Sequence, residues 1–314
     1  MSELRAQIAG MNGDAGLPGV SIIVPTRNRV SKLARCLEHV SAIRGDTPWE
    51  LIVVDNGSSD ETPQFLDDFA NRSPIPLKVV KEPAAGGMRS RNAGAEAARG
   101  EVLIFIDNDC YPQPDIVDQY AGIFRDRGIG FAGGRILPYV RMENERDGRT
   151  LALMESEVEI RYPAGQLVPC GIIQGGNMAL RRRALTAVGG FDVRMGPGTR
   201  FPAEDWEIAT RIGAEGWDGG YFPGPVVSHD HPRTSGEAKS RLRSYHVGMG
   251  AVYVKLVANP RTRRIYLPHI LRRFLGDMKL HQAKVATQIY GGMLFLRQNR
   301  RHLLEVMPGM AQRV

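Results

Sequence analysis

The chain has 314 residues, 42% hydrophobic and 24% charged, a balance that fits a folded globular protein and excludes a disordered or fibrous one. That length holds one large α/β domain with an extension, or two small domains. The formal charge of +7 is uneven: positions 233–314 hold sixteen Lys and Arg against three Asp and Glu, a balance of +13, and positions 1–232 hold 25 against 31, a balance of −6. A basic tail of this kind suits nucleic acid, an anionic membrane surface or an anionic substrate, and a solvated helical face is the plain alternative. Cys36, Cys110 and Cys170 lie far apart, lack metal-ligand spacing and read as free thiols of a reducing compartment. No apolar run reaches the length of a membrane span. Met1 to Gly19 lacks the basic start and apolar core of a secretory signal, so a cytoplasmic protein is expected.

In chain order, the first nineteen residues are rich in glycine and small side chains and are expected to be disordered. Val20-Ser21-Ile22-Ile23-Val24 is a β-branched run ended by Pro25, a buried strand. Val30, Leu33, Ala34, Leu37 and Val40 recur at helical spacing. Leu51-Ile52-Val53-Val54 is a second buried strand and runs into Asp55-Asn56-Gly57, where Gly57 supplies a turn. Ser58 and Glu61 have capping-box spacing for a following helix. Leu77 to Val80 is a third strand, Ser90 to Ala98 a helix ended by Gly100, and Val102 to Ile106 a fourth strand. This β-α-β-α-β-α-β alternation predicts an α/β fold with a mostly parallel sheet flanked by helices. In such sheets ligands bind beyond the carboxyl ends of the strands. Pro25-Thr26-Arg27-Asn28, Asp55 and Asp107 with Asp109 stand at three such ends.

The second half is less regular. Gly175-Gly176-Asn177 reads as a loop entering a short strand, Gly189-Gly190-Phe191-Asp192 as a turn, and Ala203-Glu204-Asp205-Trp206-Glu207 as a helix start with acids where the dipole favours them. Tyr221 to Val227 leads to His229-Asp230-His231. The tail reads as helices, with Ile270, Leu271, Phe274, Leu275 and Met278 on one apolar stripe and Arg272, Arg273 and Lys279 off it.

Several groups suit chemistry. If Asp107-Asn108-Asp109 is extended, its two carboxylates share a face and can address one hard cation, Mg²⁺ or Mn²⁺. Asp55 suits a ribose or base edge, or an Asx turn. Arg89, Arg91 and Asn92 near a helix start suit phosphate, or are surface charge. Glu204-Asp205 offers a general base; two adjacent helical carboxylates diverge, so one is expected to face the site. His229 or His231 can complete a metal shell, with His229 favoured because it follows the apolar run.

In order and spacing, Val24 to Asn28, Val53 to Asp60, Ser90 to Gly94, Phe105 to Asp109, Gly175 to Ala179, Gly189 to Asp192, Glu204 to Trp206 and Val227 to His229 resemble the inverting family 2 glycosyltransferases with the GT-A fold. The resemblance covers residues 20–232 and leaves the tail outside it. It implies a GT-A domain over 20–232, followed by a basic helical extension over 233–314. It also implies a UDP-, GDP- or dTDP-sugar donor with Mg²⁺ or Mn²⁺. Pro25, Thr26, Arg27, Asn28 and Asp55 would then hold the base and ribose, with Arg91 nearby. Asp107 would sit by ribose and metal, Asp109 would ligate the metal, and His229 matches a ligand position of some members. Gly176 and Asn177 would lie near sugar and acceptor, and Asp205 would be the base. The implied acceptor is a glycan, lipid or small molecule, with peripheral membrane contact through the tail and no nucleic acid.

No Gly-x-Gly-x-x-Gly follows the first strand and no phosphate-loop Lys motif is present, which disfavours a dehydrogenase or ATPase. A non-catalytic nucleotide-sugar-binding or nucleic-acid-binding protein is the other alternative, and the acids at 107, 109 and 205 argue against it.

Overall fold

The computed structural model describes residues 19–306 apart from 74, 76, 140–148, 151, 231 and 234. The first eighteen residues and His231 therefore lie outside the described residues. The amino-terminal half is β1 (Val20–Thr26), α1 (Val30–Ser41), β2 (Trp49–Asp55), α2 (Thr62–Arg72), β3 (Leu77–Lys81), α3 (Gly87–Ala97) and β4 (Val102–Phe105). Strands β3, β2, β1 and β4 lie side by side in parallel, as the alternation predicts. Beyond them come β5 (Cys110–Pro112), α4 (Ile116–Phe124), β6 (Ile129–Pro138), a two-residue β7 (Arg149–Thr150), β8 (Ile160–Tyr162), β9 (Met178–Arg181), α5 (Arg182–Ala187), α6 (Glu204–Ala214) and β10 (Asp218–His229). The sheet continues from β4 through antiparallel β9 to β6, β10 and antiparallel β5. It is a mixed sheet with a parallel half.

The strands are buried on both faces. Val20, Ile22 and Val24 point into one core with Leu33 and Leu37 of α1 and Tyr120 of α4, while Ile23 points into the other with Met88 of α3 and Trp206 of α6. Alternate residues of a strand face opposite ways, so one run of apolar side chains feeds two helical layers. Helix α3 lies so close to the sheet that a Cβ at Gly94 would stand 2.5 Å from a methyl group of Ile23.

Strand β1 does not stop at Pro25 but runs to Thr26. Strand β4 pairs with it only as far as Ile23, and beyond that β1 is bonded on the β2 side alone, where proline is tolerated. The capping box also differs. Glu61 is the N-cap of α2 without a side-chain cap, the Asp60 carboxylate accepts from the Thr62 N–H at 3.0 Å, and Ser58 Oγ accepts from the Asn28 N–H instead.

After a short β11 (Pro232–Arg233) come three helices, α7 (Ser235–Ala258), α8 (Pro260–Leu280) and α9 (Gln282–Val306). They share the α6-side core through Val252, Leu256, Tyr266 and Phe295. The Tyr266 hydroxyl donates to the Thr210 carbonyl at 2.9 Å. Lys255 forms ion pairs with Asp192 and Glu207. Helix α7 meets the segment before α6 backbone to backbone: a Cβ at Gly248 would lie 1.6 Å from the Pro202 carbonyl oxygen. Only glycine allows that approach. The expected single apolar stripe of α8 divides. Ile270 is buried, while Leu271, Leu275 and Met278 are exposed.

Candidate active site

Two adjoining cavities, each of about 520 Å³, open beyond the carboxyl ends of β1 and β4. Pro25, Thr26, Arg27, Asn56 and Asp107 to Asp109 line the first. Gly175, Gly176, Glu204 and Asp205 line the second, and Arg91, Asp107, His229, Arg241 and Tyr245 belong to both.

The loops around the first cavity are tied by side chains. Asn28 holds φ of 50°, and its Oδ1 accepts from the Ser59 N–H at 2.7 Å. Asp55 accepts from the Ser58 N–H at 2.9 Å, an Asx turn. Asn56 donates to the carbonyls of Glu82 and Ala84 and accepts from the Gly86 N–H. Asn28 and Asp55 thus brace the rim, and Asn56, which the sequence presents only as turn chemistry, reaches the cavity wall.

Asp107-Asn108-Asp109 is a turn, not an extended segment. The Cys110 N–H donates to the Asp107 carbonyl at 2.9 Å, and the two carboxylates part. Asp107 is 42% exposed and accepts from Arg91 at 2.8 Å. Asp109 is buried, accepts from Arg29 Nη1 at 2.9 Å, and has its other oxygen 3.8 Å from His229 Nε2. Asn108 donates to Thr26 Oγ1 at 2.9 Å, which joins the turn to β1. Strand pairing explains the histidine. Antiparallel β5 sets His229 opposite Cys110, and the Asp230 N–H donates to the Asp109 carbonyl at 2.8 Å.

Among the described residues, Asp109, Cys110 and His229 bring three possible ligand atoms within 4.8 Å of one another; Asp107 stands outside that group. A carboxylate and an imidazole fit a Mg²⁺ or Mn²⁺ ion that takes its other oxygens from water and phosphate. The Cys110 thiol is a soft donor that suits such a hard ion poorly.

Arg91 is the hub between the cavities. It is 2% exposed, donates to Asp107 and to the Gly175 carbonyl, and lies 3.5 Å from Glu204 Oε1. Glu204 and Asp205 both line the second cavity, because the backbone before α6 is bent: Ala203 holds φ of 92°, a left-handed conformation that costs a non-glycine residue about 1–2 kcal/mol. Asp205 accepts from the Trp206 N–H at 2.7 Å and the Gly175 N–H at 3.2 Å. Burial raises its pKa against those bonds and Arg91. Burial, then the neighbouring Asp205, pushes Glu204 up to about 7, with Arg91 opposing. Gly176 lies beside Asp107, where a Cβ would stand 3.8 Å from its carboxylate. Asn177 is turned away. It is buried beneath the cavity, accepts from Tyr120 and donates to the carbonyls of Arg135 and Pro225.

A parallel half-sheet that delivers acids to paired cavities, extended by antiparallel strands and covered by helices, is the GT-A type of glycosyltransferase fold. The model of glycosyl transferase family 2 matches residues 21–189, more than half of the chain, and the chain belongs to that family. It is a glycosyltransferase. Among curated proteins it is 26% identical over 258 residues to glycosyltransferase AglE of Haloferax volcanii, covering 80% of this chain and 78% of that one. It is 27% identical over 216 residues to the pre-mycofactocin glycosyltransferase of Mycobacterium tuberculosis, where it spans 68% of this chain but 43% of the relative. In fold it is similar to the mannosyltransferase PcManGT of Pyrobaculum calidifontis in complex with GDP-Man and Mn²⁺, with a TM-score of 0.59, 20% identity and coverage of 97% and 90%. It is also similar to residues 1–349 of S. aureus TarS in complex with UDP-GlcNAc, with a TM-score of 0.56, 16% identity and coverage of 92% and 83%.

Proposed function

We propose that this chain transfers a sugar from a nucleotide-sugar donor to an acceptor hydroxyl by a metal-dependent single displacement that inverts the anomeric carbon. The observation that carries this reading is the placement of Asp205. It is a half-buried carboxylate of raised proton affinity in the wall of the second cavity, next to a first cavity walled by Asp107 and Asp109. The first cavity takes the donor. Thr26, Arg27 and Asn56 face its nucleoside, and Asp107, steadied by Arg91, meets the ribose. Asp109 and His229 would hold the Mg²⁺ or Mn²⁺ ion, which supplies positive charge beside the departing diphosphate. Asp205 takes the acceptor's hydroxyl proton as the oxygen forms its bond to the anomeric carbon. The bond from that carbon to the diphosphate oxygen breaks, and the electron pair leaves with the diphosphate. Arg91 keeps Asp107 and Glu204 in place on either side.

A thermal-shift series with UDP, GDP and dTDP, each with Mn²⁺ and with chelator, checks the donor reading. One nucleotide is expected to raise the melting temperature, and only when the metal is present. No shift with any of the three would count against it.

Among the described residues no helix is long and apolar enough to cross a membrane. Leu271, Leu275, Ile289 and Met293 nonetheless stand exposed on α8 and α9, and both helices carry exposed arginines such as Arg272 and Arg297. This pattern supports peripheral contact with an anionic membrane surface. Co-sedimentation with phosphatidylglycerol vesicles at low salt, lost at high salt, is the expected result. Equal recovery without vesicles would refute it.

A further inference from the structure

The second cavity has basic residues that the transfer chemistry does not use. Arg200 comes from the loop before α6, Arg273 from α8 and Lys284 from α9, and these three line the second cavity and not the first. Arg273 is half-buried and forms no hydrogen bond or ion pair among the described residues. The carboxylate one turn further along its own helix, Asp277, is spaced to neutralise it but pairs with Lys284 at 2.7 Å instead. A partly buried guanidinium without a counter-charge is costly, and a bound anion removes that cost. The opposed charges share one cavity, which Glu204 and Asp205 line together with Arg273 and Lys284. Glu204 is buried, Asp205 and Arg273 are half-buried, and Arg200 is exposed. An acceptor that reaches Asp205 with a hydroxyl therefore shares its cavity with those cationic side chains.

We propose that the acceptor carries a phosphoryl group, held in the second cavity by Arg273 together with Arg200. The inference rests on the glycosyl-transfer reading and names the class of its acceptor. A guanidinium presents a planar fork of donors that matches phosphoryl oxygens, and two arginines from separate segments suit a doubly charged group better than a neutral sugar. The donor's diphosphate does not account for them, since its cavity has Arg27 and Arg29 in its own wall and shares Arg91 and Arg241.

The test uses the full chain saturated with Mn²⁺ and the nucleoside diphosphate that stabilises it, so that the donor cavity is filled. Octyl phosphate, inorganic phosphate and octyl glucoside are then titrated by calorimetry. Both phosphates are expected to bind, and Arg273→Gln is expected to weaken them about tenfold or more while leaving nucleotide affinity and octyl glucoside binding unchanged. Arg200→Gln, at an exposed position, is expected to weaken the phosphates in the same direction without risk to the fold. Much tighter binding of octyl phosphate than of inorganic phosphate would assign a lipid-linked acceptor, and equal binding a soluble phosphorylated one. A wild-type chain that bound nucleotide but neither phosphate would overturn this inference alone, as would variants that bound phosphate like wild type. A wild-type chain that bound no nucleotide would overturn the glycosyl-transfer reading, and this one with it.

Discussion

Asp205→Asn removes sugar transfer by roughly 10²–10⁴-fold, the usual contribution of a positioned general base, and leaves nucleotide affinity unchanged. The amide keeps the shape of the side chain, and its oxygen still accepts one of the two backbone N–H bonds that fix the carboxylate. What it loses is proton affinity. The pH dependence follows from the same environment. Burial favours the neutral carboxyl at Asp205 and at Glu204, which it pushes up to about 7. At low pH Asp205 keeps its proton and accepts none, so kcat/KM rises with pH as the pair ionises. Stability runs the other way. A carboxyl whose folded pKa exceeds its unfolded value contributes stability that is full below the unfolded value, 4.5 for Glu204, and is lost as pH rises to about 7. Glu204→Gln removes the like charge beside Asp205. It should therefore flatten the loss of stability across that window. A pH profile with near-normal turnover in Asp205→Asn would discard the assignment of Asp205 as base.

The parallel half of the fold is legible because its cause is local. Buried strands such as Leu51 to Val54 are continuous apolar runs, and the polar residues that follow them fall on one rim. The antiparallel half is not legible in the same way. Strand β6 contains Gly130, Gly133 and Gly134, which weaken its pattern, and β5 is three residues long. Yet β5 is what sets His229 beside Asp109. Residue types alone also hide direction. Asn177 stands in the right segment but spends all its bonds beneath the cavity. Asp107 and Asp109 are two apart, but the turn between them sends one to Arg91 and the other to Arg29. Ala203, which has no polar atom in its side chain, turns both neighbouring acids to the site through its backbone. Arg273 has a meaning only once Asp277 is seen to pair elsewhere.

Asp109 and Arg29 form one ion pair, and their separate removal should have opposite consequences for the metal. Asp109→Ala takes away the buried carboxylate. The stabilisation by nucleoside diphosphate that depends on Mn²⁺ should then vanish: an increment of about 2.7 kcal/mol at a ligand concentration of one hundred times Kd falls close to zero, and transfer falls with it. His229→Ala removes a neutral donor and should lower the increment without abolishing it. Arg29→Ala removes one positive charge that competes with a cation for the Asp109 carboxylate. Arg29 is 46% exposed and pairs with Asp109 at 2.9 Å, so it occupies a carboxylate oxygen that a metal ion would otherwise take. Without it a divalent cation is held more tightly, and the Mn²⁺-dependent increment should grow. If Asp109 served only as the structural partner of Arg29, both substitutions would lower the melting temperature alike and leave the difference between metal and chelator untouched. Melting curves of the three variants with nucleotide, recorded with Mn²⁺ and with chelator, separate the two roles by sign.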